Sequence, residues 1–110
     1  DLINSYAWDT AIVYIQAMGN ENYANQRDRN GTLKNTGSTG DEKCKIFGMA
    51  ENTREWTTEY STDTDSSHAY PCTGRGGYYY HSNSSTSYRG SNLATRSDYG
   101  ISFRPLLYVK

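Results

Sequence analysis

Aliphatic side chains are scarce. Leu, Ile, Val and Phe together number 14 of 110 residues, about 13%, a share that accompanies disorder when net charge is high. The formal charge here is only −1, so that class is excluded. No basic cluster exists either: 11 Lys and Arg are scattered among 12 Asp and Glu. This excludes nucleic acid as the main partner, because phosphate binding needs Lys and Arg concentrated on one surface. No stretch approaches the roughly 18 to 20 apolar residues of a membrane-spanning helix, which excludes membrane insertion by a helix. The two cysteines, Cys44 and Cys72, show no CxxC spacing, and the histidines are only His68 and His81, a pattern that argues against zinc. The cysteines admit three readings: two packed free thiols, a disulfide, or, least favoured for want of a visible general base, a catalytic thiol. A chain of this length forms one domain, residues 1–110, or the C-terminal part of a longer chain.

Aromatic residues replace the missing aliphatics. The chain has 11 Tyr and 2 Trp, which bury large surfaces while keeping a polar atom available. Asn4-Ser5 can cap a helix, and Trp8, Ala11, Ile12, Ile15 and Met18 recur at helical spacing until Gly19-Asn20; Trp8, Ile12 and Ile15 should face inward. Residues 20–43 are polar, with turn sites at Asn30-Gly31, Thr36-Gly37 and Thr39-Gly40, and read as a surface connection carrying one short hairpin. Glu55 to Tyr60 alternates as a strand with Trp56, Thr58 and Tyr60 on one face. Asp63 and Asp65, in a Ser/Thr loop, are candidate calcium ligands, although two aspartates fall short of the six or more oxygens calcium takes. No other cofactor is implied.

A second strand is predicted through Arg75-Gly-Gly-Tyr-Tyr-Tyr80, with Trp56 close to the paired glycines. Alternation would put Tyr79 on one face and Tyr78 and Tyr80 on the other. From Gly77 to Gly100, 20 of 24 residues are Gly, Tyr, His, Ser, Thr, Asn or Asp. Tyr gives rigid amphipathic contact area and Ser, Gly and Asn give adaptable hydrogen bonds, the mixture of a binding surface. Ile101 to Val109 reads as a closing strand, with Arg104 as an ion-pair partner and Pro105 at an edge or bulge.

Four segments, Tyr6-Ala-Trp-Asp9, Met49-Ala-Glu-Asn-Thr-Arg-Glu-Trp56, Arg75-Gly-Gly-Tyr78 and Ser102-Phe-Arg104, resemble in order and spacing the motifs of the formylglycine-generating enzyme-like branch of the C-type lectin fold. That resemblance implies an α+β domain, loop-rich, with short antiparallel strands and one main helix near the N-terminus. The enzymes of that family carry a thiol directly after the last motif. Pro105 stands there in this chain, so the resemblance implies the scaffold without the oxidase chemistry. The final third resembles, more narrowly, the variable proteins of diversity-generating retroelements, in which adenine-directed rewriting diversifies a binding face.

On that resemblance Gly76, Gly77, Thr86, Ser87, Arg89 and Phe103 belong to the frame. Tyr78, Tyr80, His81, Asn83, Tyr88, Ser91, Asn92, Arg96, Asp98 and Tyr99 form the ligand-binding face. It implies a non-enzymatic domain on a phage virion or bacterial surface, with a protein receptor favoured over a glycan and a homo-oligomer compatible with display. The alternatives are an enzyme of the formylglycine-generating or sulfoxide synthase type and a structural phage-tail or surface domain.

Overall fold

The computed structural model describes residues 1–29, 31–35, 37–38, 40–62, 70–97 and 99–107. The predicted turn residues Asn30, Thr36 and Thr39, the calcium candidates Asp63 and Asp65, His68, the site candidate Asp98 and the end of the closing strand at 108–110 lie outside the described residues. The chain forms an α+β domain with one helix and two sheets of short strands.

Helix α1 spans Ser5–Ala17, and the Asn4 side chain caps it by accepting from the Ala7 amide at 2.7 Å. Such a cap is worth about 1 kcal/mol. As the spacing predicts, Trp8, Ile12 and Ile15 are buried. They join Ile3, Tyr23, Met49 and Ala50 in the core.

Strands β1 (Glu42–Lys43) and β2 (Ile46–Phe47) make a hairpin. Its two turn residues, Cys44 and Lys45, both have positive φ, 53° and 65°, the backbone of a tight two-residue hairpin turn. The hairpin expected within 20–43 thus falls at 42–47. Both cysteines are free thiols: Cys44 is exposed in this turn and Cys72 is half-buried at the start of β4.

The larger sheet runs β5-β4-β3-β6, from Arg89–Asn92, Cys72–Arg75, Arg54–Tyr60 and Ile101–Phe103. β4 is antiparallel to both neighbours, but β6 lies parallel to β3, with Arg54 opposite Ile101. The expected short antiparallel strands are thus joined by one parallel pair. β4 also ends at Arg75, so the predicted strand through Tyr80 stops at the glycines; Gly76 has φ +94° and turns the chain out of the ladder.

On β3 the alternation holds, and the face shared by Trp56, Thr58 and Tyr60 is the outer one. Glu55 and Thr57 are buried, whereas Trp56 is half-buried and Thr58 and Tyr60 are exposed. The inward face accepts a carboxylate because Arg104 donates to both Glu55 oxygens, from Nε and one Nη, at 2.7 and 2.8 Å.

The polar connection 20–43 is more than a surface excursion. It contributes buried Tyr23, Asp28 and Asp41, and the two carboxylates anchor the next loop. Asp41 accepts from the Ala50 amide at 2.7 Å and from the Tyr23 hydroxyl at 3.0 Å. Asp28 accepts from the Asn52 amide at 2.7 Å, and Asn52, at φ +76°, exchanges side-chain bonds with the Lys34 backbone. Charge-assisted bonds of this kind are the stronger ones.

Burial, and after it the Asp41 carboxylate, hold the Tyr23 phenol neutral well above the ordinary tyrosine range. Its folded pKa is raised, so its contribution to stability is complete below about pH 10, the unfolded value, and is lost as pH rises further. Tyr23→Phe should therefore melt below the wild type at pH 8, with the two melting curves converging above pH 10. A gap that stays constant with pH would remove the titration from the account.

Candidate binding surface

The four motif segments meet at Trp8. Its ring is fully buried, its indole N–H donates to the Thr86 carbonyl at 2.9 Å, and guanidinium groups of Arg75 and Arg104 lie 6.0 and 5.9 Å from its centre. Arg75, itself buried, donates to Asp9 at 2.6 Å and to the Tyr88 carbonyl at 3.1 Å. Glu59 extends the network: it accepts from Ser5 Oγ, pairs with Arg89 at 2.8 Å and lies 3.9 Å from Arg75. The desolvation of buried charges, costly when they stand alone, is offset here by mutual pairing.

The glycine pair closes this frame against other partners than Trp56. A Cβ on Gly76 would fall 2.7 Å from the Met49 carbonyl oxygen and 2.8 Å from the Trp8 ring, and one on Gly77 would fall 1.7 Å from the Ala50 carbonyl oxygen. The indole against Gly76 is thus Trp8, and Gly77 lies against the Ala50–Glu51 backbone. Thr86 and Ser87 are tied by backbone amides to Gln26 and Ala24, at 2.9 and 3.0 Å, which fixes the return of the 78–88 loop.

Next to the frame, three segments converge at the Arg54 end of the sheet. The Arg54 guanidinium lies over Tyr78 at 4.8 Å and over Tyr88 at 4.6 Å, and donates to Ser84 Oγ at 2.9 Å. Cation–π contacts contribute about 0.5 to 2 kcal/mol each. Tyr78 meets Tyr79 edge to face at 5.2 Å and His81 at 5.5 Å, and Tyr80 meets His81 at 5.1 Å. The Tyr78 ring rests where a Gly100 Cβ would stand, 2.1 Å away, and Tyr88 crowds Gly90 in the same way at 2.7 Å. Tyr78 and Tyr88 are half-buried, whereas Tyr80 is 72% and Tyr99 90% exposed; His81 and Asn83 are also exposed.

The ten candidates therefore divide. Register places Arg54, Arg75, Arg89 and Ile101 at one end of the sheet and Tyr60, Cys72 and Asn92 at the other. Tyr78, Tyr80, His81, Asn83, Tyr88 and Tyr99 belong to chain segments at the first end. Ser91, Asn92 and Arg96 instead line a cleft of about 370 Å³ toward the second, with Tyr70 and Leu93. Asn92 is 5% exposed and its amide donates to the Gly90 carbonyl, so it serves the cleft wall more than its mouth. β5 carries the chain away from the tyrosines, which composition alone does not reveal.

Arg54 and Tyr70 were not among the sequence-derived candidates. Arg54 finds its rings 24 and 34 residues away, so no local spacing signals it. A further cleft of about 370 Å³ lies between Phe47 and Phe103 above the Glu55–Arg104 pair, with Thr53, Ser102 and Pro105 in its wall. Phe103, assigned to the frame by resemblance, is exposed at its rim. Among the described residues no group of three or more His, Cys, Asp or Glu side chains could hold a metal ion. No helix among them is long and apolar enough to cross a membrane. Comparison with protein-family models, curated proteins and solved structures finds no match for this chain.

Proposed function

We propose that the chain is a non-enzymatic target-recognition domain with a formylglycine-generating enzyme-like C-type lectin fold, of the kind diversified by a retroelement and displayed on a phage virion or bacterial surface. One observation carries this reading. Trp8, Asp9, Met49, Glu55, Arg75, Gly76 and Arg104, drawn from all four motifs, are engaged with one another around the Trp8 ring, whereas Tyr80, His81, Asn83 and Tyr99 project from loops beside that network. Substitution at such positions leaves the frame's contacts untouched.

In this reading the Arg54-bridged rings of Tyr78 and Tyr88 form a stiff base, Tyr80 and Tyr99 supply aromatic anchors, and His81 and Asn83 supply polar selectivity. Aromatic anchors of this type contribute on the order of 2 kcal/mol each when a partner pocket encloses them. A protein receptor fits this better than a glycan, because two exposed phenol rings offer more to a shaped protein pocket than to a hydroxylated sugar.

The encoding locus provides the test. A reverse transcriptase gene and a near-copy of the segment encoding residues 75–109, differing only at adenines, are expected beside the coding sequence; a locus with neither overturns the retroelement assignment. Independently, a variant with Ser at Tyr80, His81, Asn83 and Tyr99 should unfold within about 0.5 kcal/mol per site of the wild type, as surface changes do. Collapse of that variant would move these residues into the frame.

A further inference from the structure

Helix α1 is apolar on its outward side as well as its inward one. Tyr6, Thr10, Val13, Tyr14 and Ala17 share the side opposite Trp8, Ile12 and Ile15, none is charged, and Ala7 and Ala11 flank it where the helix meets the core. Tyr6 is 84%, Val13 65% and Tyr14 50% exposed. The helix's one acidic residue, Asp9, lies at the border and is engaged by Arg75. An outward helix face ordinarily carries charged and polar side chains, and a helix apolar all round is a buried helix. Between this face and Leu106 runs an apolar groove of about 470 Å³, walled by Tyr6, Ala7, Ala11 and Tyr14.

We propose that a second copy of this chain covers this face, through an antiparallel two-fold pairing of α1 centred on Thr10. The spacing is self-complementary. Tyr6, Thr10 and Tyr14 are four residues apart along one side of the helix, so a two-fold axis crossing at Thr10 brings Tyr6 of one copy level with Tyr14 of the other. The two rings stand on opposite flanks of the helix and pass beside each other without collision. Tyr14 then drops beside Ala7 of the partner, a large side chain over a small one.

A neutral face suits a second copy, since no like charges are brought together at the axis. The side chains of Tyr6, Val13 and Tyr14, with exposed Met18 at the end of the helix, offer on the order of 500 Å² per copy, given the 150–250 Å² of a large aromatic. Two copies together reach roughly 1,000 Å², the size of a weak, reversible pairing just below the stable interfaces. The pairing uses none of Tyr78, Tyr80, His81, Tyr88 or Tyr99, so it stands whatever the fate of the recognition reading.

Sedimentation of the full chain at about 100 µM, above the micromolar Kd suited to an interface of this size, should give the mass of two 12.4 kDa chains. Thr10→Lys sets two ammonium groups against each other on the axis and keeps a good helix former. It should shift the dimer midpoint at least tenfold upward with the circular dichroism and melting of the monomer retained. In a Cys44→Ser, Cys72→Ser background, Thr10→Cys should oxidise to a disulfide between copies, because an axial position brings its two Cα atoms within about 4.4–6.8 Å. Val13→Cys, off the axis, should not. A wild type that stays monomeric, as when another segment or partner covers the face, overturns the proposal. So does a dimer indifferent to Thr10→Lys, or one that crosslinks through Val13→Cys and not Thr10→Cys.

Discussion

Gly77→Ala is expected to abolish the fold. The added Cβ would stand 1.7 Å from the Ala50 carbonyl oxygen, 2.3 Å from its carbon and 3.0 Å from the Glu51 nitrogen. All three are backbone atoms of a loop anchored by Asp41 and Asp28, so no side-chain rotation relieves the contact. Either the 48–52 loop leaves its carboxylates, or the chain leaving β4 gives up the amide bond from Gly77 to the Met49 carbonyl at 3.0 Å. Both routes pull Met49 and Ala50 from the core. A loss above about 4 kcal/mol is expected, comparable with the 5–15 kcal/mol that holds a typical domain together. Gly74→Ala is the control, since its Cβ would meet nothing closer than 3.6 Å. Urea unfolding followed by tryptophan fluorescence separates the two; a Gly77→Ala protein that unfolds with the Gly74→Ala midpoint would refute the packing account.

Arg104→Leu is expected to cost about 3–5 kcal/mol at pH 7, the range for removing one partner of a buried ion pair. It leaves Glu55 buried without the two guanidinium bonds and frees the Phe47 carbonyl, which accepts from Arg104 at 2.5 Å. A pH signature identifies the mechanism. Burial already raises the Glu55 carboxyl, against the opposing pull of Arg104. With the folded pKa above the unfolded value of about 4.3, protonation favours the fold, and stability falls as pH rises through the folded pKa. Removing Arg104 widens that window, so the variant should recover much of its loss between pH 7 and pH 5. Glu55→Gln added to Arg104→Leu should flatten the response. An equal deficit at both pH values would show that lost packing on Trp8, not the stranded carboxylate, dominates.

The helix was legible in the sequence because its determinants are local: a cap at Asn4 and inward residues at 8, 12 and 15 specify it within one segment. The strand at β3 was legible too, but not its orientation, because the acceptability of Glu55 inside depends on Arg104, 49 residues downstream. Tyr23, Asp28 and Asp41 were hidden for a related reason: their polar surroundings resemble a loop until the amides they bind, on Ala50 and Asn52, are known. The glycine pair was recognisable as a close-approach site, yet Trp56 and Trp8 are equally plausible partners in one dimension. Of the candidate surface, composition marked the segment but could not show that β5 carries Ser91 and Asn92 away from the tyrosines. Arg54 carried no signal, since its role exists only once Tyr78 and Tyr88 stand on either side of it.

The rings laid on glycines have a consequence for how such a surface can change. Tyr78 occupies the place of a side chain at Gly100, and Tyr88 does so at Gly90, so bulk at one position of each pair excludes bulk at the other. Exchange of Tyr78 for a small residue would open room at residue 100, and a side chain there would demand a smaller group at 78. Each pair is then one site with two sequence addresses, and the effects of substitutions at its two positions should be coupled, not additive.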